Sequence, residues 1–402
     1  MLKPELAAPA GDMEKLRTAL DYGADAVYLG GVAYSLRAAT NFDKTGIKSA
    51  IEYAHSRNSK AYVAVNIYAR NSDIKGLSDY FAFLQECGAD AVIISDVGVF
   101  SLAREYAPNI PIHISTQANV TNQKAAAFWK NLGAKRIILA RELSLNEIIE
   151  IKEKTDIELE VFVHGAMCMA YSGRCLLSNY LNFRDSNKGF CWHPCRFEYS
   201  LCEKSRMGEY FPLEEDDRGA YILSSKDLCM IEHIDKLILA GISSFKIEGR
   251  MKTEHYVAVT SKTYREAIDD YFKDKNLYES KKTDYLSELY KTDTRGFTTG
   301  FFYGAPKEGE MFYHGRKPKT YDFAGIVLEY DDNTAKIQCR NKISAGDTLE
   351  FISPYKKVFS QKITHLSDIN GNSIATAPHV KQVVYIKTEE KVHNGDIIRV
   401  LR

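Results

Sequence analysis

No stretch of this sequence carries the ~18 uninterrupted apolar residues that a membrane-spanning helix needs. The start, MLKPELAAPAGDMEKL, has no basic segment leading into an apolar core, which argues against a secretory signal. Net charge is missing too. The 53 basic and 53 acidic side chains cancel, so any affinity for phosphate has to come from a local patch. No GxGxxG follows the first apolar run, where PAGD (Pro9–Asp12) stands instead, so the dinucleotide fingerprint is excluded. HExxH, GxSxG and an Asp pair in the setting of an aspartic protease are likewise absent. The expectation is a cytoplasmic protein with no membrane partner, in a compartment where thiols stay reduced.

What is present is a repeated phrase. GADAVYLG (Gly23–Gly30), GADAVIIS (Gly88–Ser95), GAKRIILA (Gly133–Ala140) and GISSFKIEG (Gly241–Gly249) each follow an amphipathic helical pattern. The glycine suits a helix C-cap, and the apolar run suits a parallel strand buried on both faces. Further strands are expected at Glu5–Ala8, Ala61–Val65, Ile112–Ile114, Leu159–Val163 and Tyr221–Leu223. In Asp12–Tyr22, Met13, Leu16 and Leu20 share one face and Asp12 is the expected N-cap. This rhythm predicts an α/β fold, a (β/α)8 TIM-like barrel with some irregularity, over residues 1–275. A Cys-rich insertion (164–205) interrupts it. Residues 276–317 read as a charged, solvated linker and a packing loop, RGFTTGFFYG. Residues 318–402 read as a small β-barrel domain, with a hairpin around Asp331–Asn333 and Gly-Asp before two strands.

Half of the eight cysteines fall in one short stretch, spaced Cys168-x6-Cys175-x15-Cys191-x3-Cys195. Three readings compete: buried cysteines packed as small hydrophobes, structural zinc, and an iron–sulfur cluster. The gap of six between the first two is loose for zinc, and the stretch follows a strand whose end lies at the catalytic rim of a barrel. Both points favour iron–sulfur. The fourth ligand stays open, because Cys229 is an alternative to Cys195 and Cys202 a weaker rival. Cys87 and Cys339 read as core.

EVFVHGAMCMAYSGRCLLS (Glu160–Ser178) resembles the signature of the peptidase U32 family, with Glu160, Phe162, Gly165, Ala166, Met167, Cys168, Gly173, Cys175, Leu177 and Ser178 at its fixed positions. The N-terminal ELAAPAGDMEKL, SFKIEGRMK (Ser244–Lys252) and RGFTTGF near Arg295 extend the resemblance over essentially the whole chain. The family name implies a collagenase-like peptidase, and a Cys–His pair of Cys168 and His164 is the form such an enzyme takes here. The resemblance also implies iron–sulfur proteins that hydroxylate RNA bases or quinone precursors without molecular oxygen. For a chain of this length it implies 5-hydroxyuridine formation at the wobble position of tRNA, with a [4Fe–4S] cluster and prephenate as co-substrate. Hydroxylation of another RNA such as 23S rRNA is the neighbouring possibility, and a second U32-type subunit is a possible partner because short relatives work in pairs.

A small dianionic co-substrate needs cations in a water-poor cavity. Strand-end positions offer Arg37, Arg141, Lys226 and Arg250, with Lys246 on the last strand and Gln117 as a neutral contact. His164 and Lys226 are the candidates for proton transfer. The competing role for the arginines is a structural pair, Arg141 with Glu142 or Arg250 with Glu248. For RNA, Trp192, Phe190 and Tyr199 are candidate stacking residues that equally suit shielding of a cluster. Arg184, Lys188 and Arg196 are candidate phosphate contacts.

Overall fold

A computed structural model describes residues 2–35, 42–168, 170–171, 174–184, 191, 194–196, 200–202, 205, 210–212, 215–216, 219–220, 225–306 and 320–402. Seven parallel strands follow one another around the sheet: β1 (Glu5–Pro9), β2 (Ala26–Gly30), β3 (Lys60–Val65), β4 (Ala91–Ile94), β5 (Ile112–Ile114), β6 (Arg136–Ile138) and β7 (Glu158–Ala166). The strand Ser244–Ile247 pairs in parallel with both β7 (Ser244↔Glu160) and β1 (Glu5↔Ser244), which closes an eight-stranded barrel. The apolar runs of the repeated phrase are buried on both faces, as a barrel wall under a helical layer requires. The helix cap works as read: Gly23, with φ 102°, ends the first helix (Met13–Asp21), and Asp12 caps its start by accepting from Lys15 N at 2.9 Å.

The eighth strand therefore lies in Gly241–Gly249, and the expected Tyr221–Leu223 falls outside the described residues. A short strand, Asp227–Cys229, was not expected. It runs antiparallel to the far end of β7 (Asp227↔Ala166, Cys229↔His164) and extends the sheet beyond the barrel, with Phe297–Thr298 paired to it in parallel. Cys229 thus sits at the end of a strand.

The linker expected from residue 276 is replaced by a helix, Lys275–Tyr290. Its alternating charges hide three anchors, Tyr278, Tyr285 and Leu289, which are all buried. Tyr278 donates to Ile231 O at 2.8 Å and Tyr285 to Asp270 at 2.5 Å, so phenol tips satisfied by the barrel hold a helix that has no continuous apolar stripe.

Residues 320–402 form a six-stranded antiparallel sheet around its own core, with the strands Tyr321–Asp331 and Thr334–Cys339 joined by a hairpin turn at Asp332 and Asn333. The Gly-Asp pairs precede Thr348–Ile352 and Ile397–Leu401. This domain is bolted to the barrel. Tyr22 donates to Ile352 O at 2.6 Å and accepts from Ile397 N at 3.1 Å, and the fully buried Arg399 bridges Glu288 and Glu350. Among the described residues no helix is long and apolar enough to cross a membrane.

Candidate functional site

The amino-terminal end of the barrel is filled by charge. Arg136, at the start of β6, reaches Glu5 (2.6 Å), Glu158 (3.1 Å) and Glu160 (3.0 Å), and Lys246 holds the other oxygen of Glu160 at 2.7 Å. Burial on its own would lift the Glu160 carboxyl. Lys246 and Arg136 outweigh it and keep the group ionised, below the usual carboxylate range. Lys246 also lies 4.2 Å from the centre of the Tyr28 ring. Lys246, expected as a contact for an anionic co-substrate, is thus paired with a carboxylate of the barrel itself, and its Nζ lies 5.8 Å from the centre of the Phe162 ring.

The opposite end, where the strands finish, is the mouth. There Gln117, on the turn after β5, is almost fully buried. Its Oε1 accepts from Asn66 at 2.5 Å, and its carbonyl accepts from Tyr68 and from Asn119, both at 2.6 Å. Its Nε2 is buried with no hydrogen-bond partner among the described residues, which leaves an N–H for a ligand acceptor. Arg141, after β6, pairs with Glu248 at 3.2 Å and lies 3.8 Å over the Phe162 ring. Arg250 is buried and donates to Ser35 at 3.2 Å. Glu248 thus takes Arg141 across strands, while the Arg141 charge is also felt by the neighbouring Glu142. Beside Arg141, the Glu142 carboxyl is pushed up by burial, with Oε2 unpartnered among the described residues. It is a titratable group at the mouth that sequence reasoning used only as an ion-pair partner.

His164 is not at the mouth. Gly165 makes the departure of β7 possible: at φ 105°, a Cβ there would stand 2.5 Å from Glu248 O. His164 is packed among Phe297, Tyr256 and Tyr264, with ring centroids 5.3–5.8 Å away, and its Nδ1 lies 3.5 Å from the Tyr264 hydroxyl. Burial drives its pKa down to about 3, so it stays neutral, and Nε2 has no hydrogen-bond partner among the described residues. This enclosure weighs against the proton-transfer role expected of His164.

The thiols Cys168, Cys175, Cys191 and Cys195 are all half-buried and in no disulfide. Burial pushes the Cys175 thiol up, and nearby Cys168 and Cys191 add to the shift. Leu177 N donates to its sulfur at 3.4 Å. Clustered reduced thiols, one of them with an amide donor on sulfur, suit a thiophilic centre such as iron–sulfur. Among the described residues no three His, Cys, Asp or Glu side chains stand in a metal-coordinating arrangement. Cys229 belongs elsewhere. It lies in the main core with its sulfur 3.8 Å from the Tyr264 hydroxyl, and burial pushes its thiol up to about 12. The core packing sets it apart from the half-buried Cys195, the other candidate for a fourth ligand. Cys202 lies on the strand Ser200–Cys202, and its side chain is outside the described set.

Lys226 lines a cleft of about 500 Å³ with Phe297, Thr298, Thr299 and Tyr303, next to Ser225, which donates to Met167 O at 3.0 Å. Arg184 is exposed at the end of the helix Leu177–Asn182. Arg37, Lys188, Phe190, Trp192 and Tyr199 lie outside the described residues, as does the side chain of Arg196.

Fold and site together define a class: a closed parallel barrel with a thiol-bearing excursion after its seventh strand and an antiparallel domain fixed to its flank. The chain belongs to peptidase family U32, whose model matches residues 11–312, while the model of the family's C-terminal domain matches 319–399. It is 44% identical over 401 residues to tRNA hydroxylation protein P1 of Bacillus subtilis, covering 99% of this chain and 94% of the relative. It is 38% identical to tRNA hydroxylation protein P of Escherichia coli, covering 94% and 92%. It is also 39% identical to a Methanocaldococcus jannaschii protein named an uncharacterised protease, covering 100% and 99%.

Proposed function

We propose that this chain is a cytoplasmic, iron–sulfur-dependent and oxygen-independent tRNA hydroxylase that forms 5-hydroxyuridine at the wobble position, with prephenate as co-substrate. The observation that carries the reading is the near-full-length likeness to proteins named for tRNA hydroxylation, in a chain whose four clustered thiols follow the strand ending at the barrel mouth. In this reading Cys168, Cys175, Cys191 and Cys195 hold a [4Fe–4S] cluster. Bound there, the cluster supplies electron-transfer capacity next to the cavity.

The chain's own residues supply the rest. The raised Cys175 thiol loses its proton on ligation, which couples cluster loading to pH and to folding. Arg141 and Arg250 give the mouth positive charge for the co-substrate's carboxylates, with Glu248 partly offsetting it until an anion arrives. The unpartnered Nε2 of Gln117 donates to an acceptor oxygen on the substrate. Lys226 presents a further ammonium at the adjoining cleft. The wobble base lies in an unpaired loop, so bringing it to the mouth costs little unstacking. The peptidase reading loses its pair, because His164 is neutral and enclosed by rings.

The test is nucleoside mass spectrometry of tRNA from cells lacking the gene and complemented with wild type or Cys168→Ala. Loss of 5-hydroxyuridine, restored by wild type only, is the expected result. An unchanged level in every strain overturns the reading, and a change confined to ribosomal RNA moves the substrate there.

A further inference from the structure

The segment that carries the first two thiols is unusually apolar on its outside. Tyr180 is 76% exposed and Phe183 is 94% exposed, and Tyr171, earlier in the same segment, is half-exposed. These residues belong to the helix Leu177–Asn182 and its flanks, which are anchored from below by the buried Ser178. Phe183 caps the helix with φ 54°, in the left-handed region where glycine or asparagine is usual. A bulky residue that is strained in its backbone and bare to water gains nothing from the fold that displays it.

Charge gives the patch a sign. From His164 to Arg184 the sequence contains no acidic residue, in a chain with 53 of them, while Arg174 and Arg184 are both exposed there. Position gives it a direction. The Arg174 guanidinium lies 5.7 Å from the centre of the Tyr68 ring, and the Tyr68 hydroxyl donates to Gln117 O at 2.6 Å. Arg174 therefore ties the segment to the mouth, on the side where the unpartnered Gln117 amide sits.

We propose that Tyr171, Tyr180 and Phe183, with Arg174 and Arg184, form a stacking platform for the unpaired nucleotides that flank the target base of a single-stranded RNA loop. Flat rings take bases of any identity on their faces, and the guanidinium groups meet the phosphates between them. A protein partner fits less well, since the segment from His164 to Arg184 offers no acid to complement a mixed-charge protein face. This inference rests on the RNA-hydroxylase reading and adds to it a surface outside the cavity, built from residues other than the proposed cluster ligands.

The experiment uses the anaerobically purified full chain with a hairpin RNA bearing an unpaired anticodon-type loop and a blunt duplex of the same stem. Binding is measured for wild type and for Tyr180→Ala/Phe183→Ala, with iron content and circular dichroism confirming that the variant is loaded and folded. The expected result is loop affinity weakened about ten- to a hundredfold in the variant, with duplex affinity unchanged. Arg184→Gln is expected to flatten the salt dependence of loop binding. Equal loop affinity and equal wobble hydroxylation in variant and wild type overturn the platform while leaving the hydroxylase standing. Wild type that binds neither RNA overturns both. Wild type that self-associates, with a monomeric variant of unaltered RNA affinity, assigns the patch to a second copy and overturns the platform.

Discussion

Replacing His164 by Phe is expected to remove a pH dependence from the stability of this protein. His164 is enclosed by Phe297, Tyr256 and Tyr264, and burial lowers its pKa from 6.5 to about 3, with Asp227 opposing that shift and Lys252 assisting it. Below pH 6.5 the unfolded chain takes up a proton at this position while the folded protein does not, so the unfolded state is favoured as pH falls. The contribution is complete above 6.5 and is lost progressively down to about 3. Between pH 7 and pH 5 it amounts to about 2 kcal/mol. His113 is buried and shifted in the same direction, so the wild-type slope contains more than one histidine, and the difference from His164→Phe isolates this one. The carboxylates of the barrel floor are held below their ordinary range and lose their contribution only at more acid pH. The assay is urea unfolding under anaerobic conditions at half-unit steps from pH 7 to pH 5. Wild type is expected to lose about 2 kcal/mol more than the variant across that window. Parallel profiles would refute the reasoning, since they require a histidine that is protonated or solvated in the folded protein.

Much of the barrel was legible because its strands are buried on both faces and its helices end in glycine, signals that survive in a single sequence. The thiol-rich stretch stood out for a similar reason, as a local concentration of one residue type. What escaped was set by contacts distant in the chain. Nothing local to Lys246 announces Glu160, 86 positions earlier, as its partner. His164 looked like a rim residue because β7 was expected to stop at Val163, whereas the strand runs to Ala166 and pairs with Asp227–Cys229 beyond the barrel. The helix Lys275–Tyr290 looked like a linker because its buried residues are tyrosines among charges, and their value lies in hydroxyl contacts with Ile231 and Asp270 that no periodicity encodes. The exposed faces of Tyr180 and Phe183 had no signal at all, since sequence gives the residue and not the side that faces water.

Three further outcomes follow from the packing. Gly165→Ala is expected to cost about 2 kcal/mol or more in urea unfolding, because its Cβ would meet Glu248 O at 2.5 Å on a backbone at φ 105°. Tyr22→Phe strips hydrogen bonds from Ile352 O and Ile397 N at the domain junction, an expected loss of about 1–3 kcal/mol that limited proteolysis would read as earlier release of the C-terminal domain. The barrel floor supplies an ordering. Glu160→Gln leaves Lys246, almost fully buried, without its recorded counter-charge, whereas Lys246→Met leaves Glu160 still held by Arg136 at 3.0 Å. Breaking a buried pair costs about 3–5 kcal/mol when it strands a charge and less when the remaining charge keeps a partner, so Glu160→Gln is expected to be the more damaging change. The reverse ranking in urea midpoints would mean that Arg136 does not hold Glu160, and the account of the floor as a connected ion network would fall with it.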